Sequence, residues 1–566
     1  MHRPIMNRLY ACLFVALLML PCMAMGQDAD RVLTNATIWT GHDDPAFADA
    51  VALRGERILA LGSHDALSDH IGEHTEVLDL NGAFVTPGFI DNHTHFNRAG
   101  ALLLGINLLD VNDPDALTEA VAAARDRLPD GAWILHGDWG AYAQWADDPE
   151  PLMEPDRTLI DDVTPDTPVL LSRFDGEQYL ANAVALDRAD LSCNDTGVDC
   201  ENDRPTGRLA PEAAATVRAI VPDKPMTQRL AEADVAMERL ASHGVTTIHD
   251  ITPPEQMRTF HTLHDRNALS VRVYARPTLD RWSHLAEAGI THGFGDDYLE
   301  IGGLKGFVDG IMGNATAQFY EPYEHTDEPG IWRDMMDHPD GMQGLIEGAA
   351  EAGHWPHVHA IGDMAIDTLL TMMETAHETV DASNQRWRVI HAQHLRDASV
   401  ADRMATLDVI AEMQPIHAID DMRWMEERIG SDRARYTYAF RTLHEAGVPL
   451  SFGSDWPGTN ASWYSANPLK GMYAAVTRKT LYGAPEGGWV PEERIDIETA
   501  LHAYTTGNAY AGGHESERGY VAPGYLADLV VLSDNILEID PAQLPEVEVL
   551  HTFVGGTPVY THEQTE

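Results

Sequence analysis

The chain has 566 residues, 44% hydrophobic and 22% charged, which excludes a disordered chain and allows a sizeable core. Aspartate plus glutamate total 89 against 38 lysine plus arginine, a formal charge of −51. A surface of that sign repels phosphates and anionic lipid, so neither nucleic acid nor a membrane surface is an expected partner.

In chain order, residues 1–26 read as a secretory signal peptide. Arg3 and Arg8 precede an apolar run from Leu9 to Leu20, and Ala24 and Gly26 offer small residues for cleavage before Gln27. An exported protein, periplasmic or secreted, is the expectation. No later segment approaches about 18 uninterrupted apolar residues, so no span is expected in the mature chain. Residues 27–86 alternate apolar and polar positions, as in R-V-L-T-N-A-T-I-W-T. Residues 518–566 do the same, as in A-D-L-V-V-L-S. The two ends are expected to pair into one small β-sandwich.

Between them, residues 87–517 show strand-like runs at Phe89–His95, Val245–Ile251, Val271–Ala275, Leu299–Asp309, Pro356–Ile361, Trp387–Gln393, Val409–Gln414 and Val448–Asp455. Helix-like stretches lie between most of them. This alternation predicts an α/β fold, a (β/α)8 TIM-type barrel. About 150 residues separate the first two runs, too many for one βα connection. Residues from about 100 to 240 therefore read as an insertion that could roof the barrel mouth. Within it, Cys193 and Cys200 lie seven apart in a polar loop, which predicts a disulfide in an exported protein. Trp139, Tyr142 and Trp145 read either as core packing or as a pocket wall.

In such a barrel the chemistry sits at the C-terminal strand ends. The first predicted strand ends in His93 and His95, which share a face. The fifth ends in His359, the sixth in His391 and the eighth in Asp455. Four imidazoles and a carboxylate make a zinc-type ligand set. Lys305, on the fourth strand, shares a face with Asp309. A lone ammonium inside a barrel is costly. Pairing with Asp309, or conversion of the amine to a carbamate that bridges two ions, would explain it. His417, in M-Q-P-I-H, is expected to end the seventh strand and to reach substrate.

With V-T-P-G-F-I-D-N-H-T-H, K-G-F-V-D-G-I-M-G, H-V-H-A-I-G-D, H-A-Q-H and F-G-S-D-W-P in this order, the chain resembles the amidohydrolase superfamily. It is similar to amidohydrolase family 3 and its branch of N-substituted formamide deformylase-like enzymes, from about Arg31 to Tyr560. The resemblance implies a more buried divalent metal on His93 and His95, a carboxylated Lys305 as bridge, and a second metal on His359 and His391. It implies that Asp455 touches the first metal and moves the proton of the hydrolytic water. Zinc is the implied metal, one or two ions per chain, with manganese or iron as alternatives. The implied activity is hydrolysis of a non-peptide carbon–nitrogen bond in a small amide, formamide or cyclic imide. A lactonase or esterase on the same site, or a non-catalytic periplasmic metal-binding module, stays open, as does a homo-oligomer. Arg388-Val389-Ile390, Gly176-Glu177 and Asn314-Ala315 depart from the family pattern. Glu177 and Asn314, together with His417 and Trp139, are the candidate substrate contacts.

Overall fold

A computed structural model describes residues 28–141, 151–458 and 465–562. The leader read at residues 1–26, and Tyr142 and Trp145, lie outside the described residues.

The predicted runs form strands β1 (Phe89–Thr94), β2 (Val245–Ile251), β3 (Arg272–Arg276), β4 (Leu299–Ile301), β5 (Leu304–Phe307), β6 (Pro356–Ala360), β7 (Arg388–His391), β8 (Ile410–Met413) and β9 (Leu450–Phe452). Nearly every residue in them is buried, polar ones included, as in strands covered on both faces. β1 to β4 pair in parallel, in chain order, within one sheet. β5 to β9 do so within a second. Backbone bonds join the two sheets on both sides. At one seam Thr94 bridges Trp456, the amide of Asp455 donates to the His93 carbonyl at 2.8 Å, and that of His95 to the Trp456 carbonyl at 2.8 Å. At the other, Lys305 bridges Thr278 and donates its amide to the Pro277 carbonyl at 2.8 Å.

β4 and β5 correspond to one predicted strand, Leu299–Asp309, which the structure breaks at Gly302 and Gly303. The cause is steric. A Cβ on Gly302 would lie 2.1 Å from the Tyr274 ring, and one on Gly303 would lie 2.2 Å from the His357 ring. Two glycines let these rings press against bare backbone.

Helices pack against the strands. In Asp363–Thr379 the residues Ile366, Leu369, Leu370 and Met373 are buried, a spacing of i, i+3, i+4 and i+7 that lines one helical face. Each such side chain contributes about 1.5–3 kcal/mol on burial. The terminal segments build two further sheets. Arg31–Thr34, Ala50–Arg54, Arg57–Gly62 and Glu76–Asp79 form a four-stranded one. Thr37–Trp39, Phe47–Ala48 and Phe84–Pro87 join Leu529–Leu532, Val549–Val554 and Thr557–Thr561 in a six-stranded one. Phe84–Pro87 runs antiparallel to Leu529–Leu532, so both ends of the chain share a sheet. Leu33, Val51, Val85, Leu529 and Phe553 share one core cluster.

Between β1 and β2 the chain builds a separate five-stranded sheet from Ile134–Trp139, Val169–Arg173, Tyr179–Ala181, Val198–Glu201 and Arg204–Leu209. Cys193 and Cys200 are joined there as a disulfide, with 5.9 Å between their Cα atoms.

Candidate metal centre

The C-terminal ends of the strands open into a cavity of about 1060 Å³. His93, in β1, is buried at its floor, while His95 caps the following helix α1 (Phe96–Leu104) and is half-buried. Their Nε2 atoms converge on one oxygen: Asp455 Oδ1 lies 3.5 Å from His93 and 2.9 Å from His95. Asp455 follows β9 with φ at 58°, and His391 ends β7 with φ at 71°. Left-handed backbone at non-glycine residues is unfavourable and clusters at functional sites. The close approach of this turn to β1 depends on Gly453, where a Cβ would lie 2.1 Å from Asn92 Oδ1. His391 lies beside His93 and His359, with ring centroids 5.2 and 4.6 Å away.

Each of the three buried imidazoles has one nitrogen bound by the protein. His93 Nδ1 lies 2.9 Å from Glu412 Oε1, His391 Nδ1 2.6 Å from Gln414 Oε1, and His359 Nε2 2.9 Å from the Gly310 carbonyl. Acceptors of this kind fix the tautomer and leave the other ring nitrogen as a lone-pair donor. Burial pushes His93 down to about 3, helped by the charge of Lys305. Burial and the neighbouring His359 and His93 hold His391 well below the ordinary value. Both rings are therefore neutral, the form that binds metal. Burial alone would raise the Asp455 carboxyl, but His93, His95 and His417 outweigh it and hold it well below the usual range. Two sets of donor atoms lie within 4.8 Å of one another: His93, His95 and Asp455, and His391, His417 and Asp455. Neutral imidazoles with one nitrogen engaged, grouped about an ionised carboxylate, fit a divalent cation.

Beneath this layer lies a charged cluster that the sequence did not reveal. Glu412, in β8, is 0% exposed and accepts from Arg276 Nη1 at 2.8 Å, from Arg388 Nη1 at 2.9 Å and from His93. Burial would raise its carboxyl; Arg276, His93 and Arg388 prevail and hold it well below the usual range. The available signal was local: a glutamate inside the apolar run V-I-A-E-M and arginines inside R-V-Y-A-R and R-V-I-H.

Lys305 is buried in β5, its Nζ 4.8 Å from the centre of the Phe307 ring, and it lines the cavity. It makes no ion pair with Asp309. That carboxylate instead accepts the amides of Gln318 at 2.8 Å, Gly362 at 2.9 Å and Ile361 at 3.1 Å. Burial and the charge of Arg276 lower the Lys305 amine to about 7. Lys305 and His359 both line the cavity; His359 stands outside both close donor sets, whereas His417 belongs to one. His417 does not end a strand as expected; it lies in helix α2 (Pro415–Asp421), with Nε2 3.7 Å from Asp455 Oδ2. Proline at the first turn of that helix starts it directly after β8.

Asn314 lines the cavity. Glu177 does not: it is exposed, and its neighbours Phe174 and Asp175 form that part of the wall. Trp139 is also away from the wall. Its ring is fully buried in the core of the inserted sheet, and its Nε1 donates to the Met153 carbonyl at 3.3 Å.

Parallel strands with a histidine and carboxylate cluster at their C-terminal ends define a metal-dependent hydrolase, and comparison with known proteins agrees. The pattern of the amidohydrolase family matches residues 76–560. The chain is 32% identical to the protein LONG AFTER FAR-RED 3 of Arabidopsis thaliana, over 99% of this chain and 96% of that protein. It is 27% identical to N-substituted formamide deformylase of Arthrobacter pascens, over 96% of this chain and 100% of the relative. The crystal structure of an uncharacterized metal-dependent hydrolase from Pyrococcus furiosus matches with a TM-score of 0.71 at 27% identity, covering 90% of this chain and 99% of that one. The chain belongs to the amidohydrolase family, hydrolases that act on carbon–nitrogen bonds other than peptide bonds.

Proposed function

We propose that this chain is an exported hydrolase, periplasmic or secreted, that cleaves the carbon–nitrogen bond of a small amide, formamide or cyclic imide. In this reading β1 to β9 close into a (β/α)8 barrel, with β4 and β5 as one strand position. Residues 27–86 and 518–566 form its flanking sandwich, and residues from about 100 to 240 its insertion. The observation that carries the proposal is the convergence of His93, His95 and Asp455 on one point, beside His391 and His359.

These five residues and Lys305 would hold one or two divalent ions, zinc before manganese or iron. A bound ion supplies Lewis acidity, polarising the scissile carbonyl and bringing the pKa of water toward about 7. The chain's own groups do the rest. Asp455, ionised and buried, accepts the proton of the attacking water and passes it to the leaving nitrogen. His417, near Asp455 Oδ2, keeps that oxygen oriented. Lys305, with its amine lowered to about 7 and no ion pair among the described residues, is suited to react with CO2, lose a proton and become an anionic carbamate ligand. Asn314 and His417 contact the substrate.

The test is turnover of matched amides and lactones by the full-length, zinc- or manganese-loaded protein. Amides should be the faster set. Lactones turned over in their place would favour the esterase reading. Asp455→Asn should cut kcat by about 10³-fold or more while thermal unfolding stays within a few degrees of wild type. Unchanged turnover in that variant would remove Asp455 from the chemistry.

A further inference from the structure

The cavity wall away from the histidines carries a charge that the rest of the chain does not explain. Acidic residues outnumber basic ones 89 to 38, yet Arg98, Arg333, Arg423 and Arg428 all line this one cavity. Its carboxylates are largely taken. Asp175 pairs with Arg173 at 2.8 Å, Asp420 pairs with Arg423, and Asp455 faces the histidines. Asp421 accepts from Tyr438 at 2.6 Å and from Gln393 at 2.8 Å through a single oxygen. Burial and Asp420 push its carboxyl up to about 8 against the opposing pull of Tyr438, Gln393 and Arg428, so it is mostly protonated at neutral pH.

Arg428 stands out in this setting. It lies on helix α3 (Met425–Ala434), and its Nη1 donates to the carbonyls of Met312 and of Gly313, the latter at 2.9 Å. Its guanidinium carbon sits 4.3 Å from the centre of the Trp424 ring. The two carbonyls and the indole face fix the plane of the group. Its Nε and Nη2 have no hydrogen-bond partner, and it has no ion pair, among the described residues. The carboxyl that acts on it, Asp421, is itself pushed toward its protonated form by burial, and a guanidinium held in one orientation with donors left over is built to receive a planar anion.

We propose that the substrate is anionic: beside its scissile carbon–nitrogen bond it carries a carboxylate that docks on Arg428, with its apolar part against Trp424. This specificity rests on the hydrolytic reading above. An N-acylated amino acid is the simplest molecule with both features, and Arg428 then acts as a specificity-determining residue.

The experiment uses the full-length, metal-loaded protein and two probes that differ only in charge: N-formyl-phenylalanine and its neutral primary amide. The carboxylate should be the better substrate by about tenfold or more in kcat/KM. In Arg428→Gln the KM for the carboxylate should rise by about tenfold or more, while that for the neutral amide changes less than about twofold. Arg428→Lys should recover part of the difference, and it supplies the comparison where the glutamine variant folds poorly. Equal preference in the wild type, or equal losses for both probes in the variants, overturns the proposal, because a purely structural tie to the Met312–Asn314 turn affects both alike. Should neither probe be hydrolysed, the hydrolytic reading is in trouble on its own account. Calorimetric titration with N-formyl-phenylalanine then decides: weaker binding to Arg428→Gln than to wild type supports the docking site, and equal binding overturns it.

Discussion

Asp421 shows how burial sets the character of a single group. Its carboxyl lies in the cavity wall, pushed from the ordinary 3.8 up to about 8 by burial and by Asp420. Between those values the folded chain keeps a proton that the unfolded chain loses. Stability must therefore fall as pH rises across that window, by up to about 1.4 kcal/mol per pH unit from this residue. Asp91, raised to about 7, and Asp250, raised to about 6, contribute with the same sign, again chiefly through burial. Asp421→Asn keeps an acceptor for Tyr438 and Gln393 and has no such proton to lose. Urea midpoints at about pH 5, 6.5 and 8 should show the variant gaining on wild type as pH rises. A constant difference across that range would mean that Asp421 is ionised in the folded protein.

At the scale of elements, the layer below the histidines holds β1, β3, β7 and β8 together through one carboxylate. Glu412 joins Arg276, Arg388 and His93, all buried. Removing its charge while the two arginines stay buried should be costly, because breaking a buried pair leaves an uncompensated ion. Glu412→Gln is expected to lose about 3–5 kcal/mol in chemical denaturation. A loss below about 1 kcal/mol would show that water or a rearranged partner reaches the arginines. This cluster also marks what the sequence could and could not convey. Strand positions were legible because each is a short apolar run between helical stretches. The histidines of H-T-H, H-V-H and H-A-Q-H stood out because they close such runs. Pairing of the chain ends followed from matching alternation in both. The meeting of Glu412 with Arg276 was not legible, because it depends on register between strands far apart in the chain. His417 was misplaced for a local reason: P-I-H after an apolar run reads as strand, yet its proline opens a helix. Trp139 took the core-packing reading of its two, and Glu177 was misplaced because a turn between two short strands gives no sign of which way its side chain faces.

Across the whole molecule the −51 charge sets the conditions under which the fold is most stable. Self-repulsion opposes compactness and is screened as the Debye length falls from about 10 Å at 0.1 M salt to about 3 Å at 1 M. The melting temperature should rise between those salt concentrations, and a fall would show that specific surface ion pairs outweigh the net repulsion. The acidic composition also gives the arginines around the cavity their significance, since they gather positive charge at the site of a strongly acidic chain. The account as a whole rests on the strand-end cluster holding a catalytic divalent ion, which metal analysis of the purified full-length protein, read alongside its turnover, tests most directly. The expected result is about one or two zinc-type ions per chain, loss of both metal and activity on chelation, and return of both when zinc or manganese is added. A chain that stays fully active with its metal stripped would contradict it.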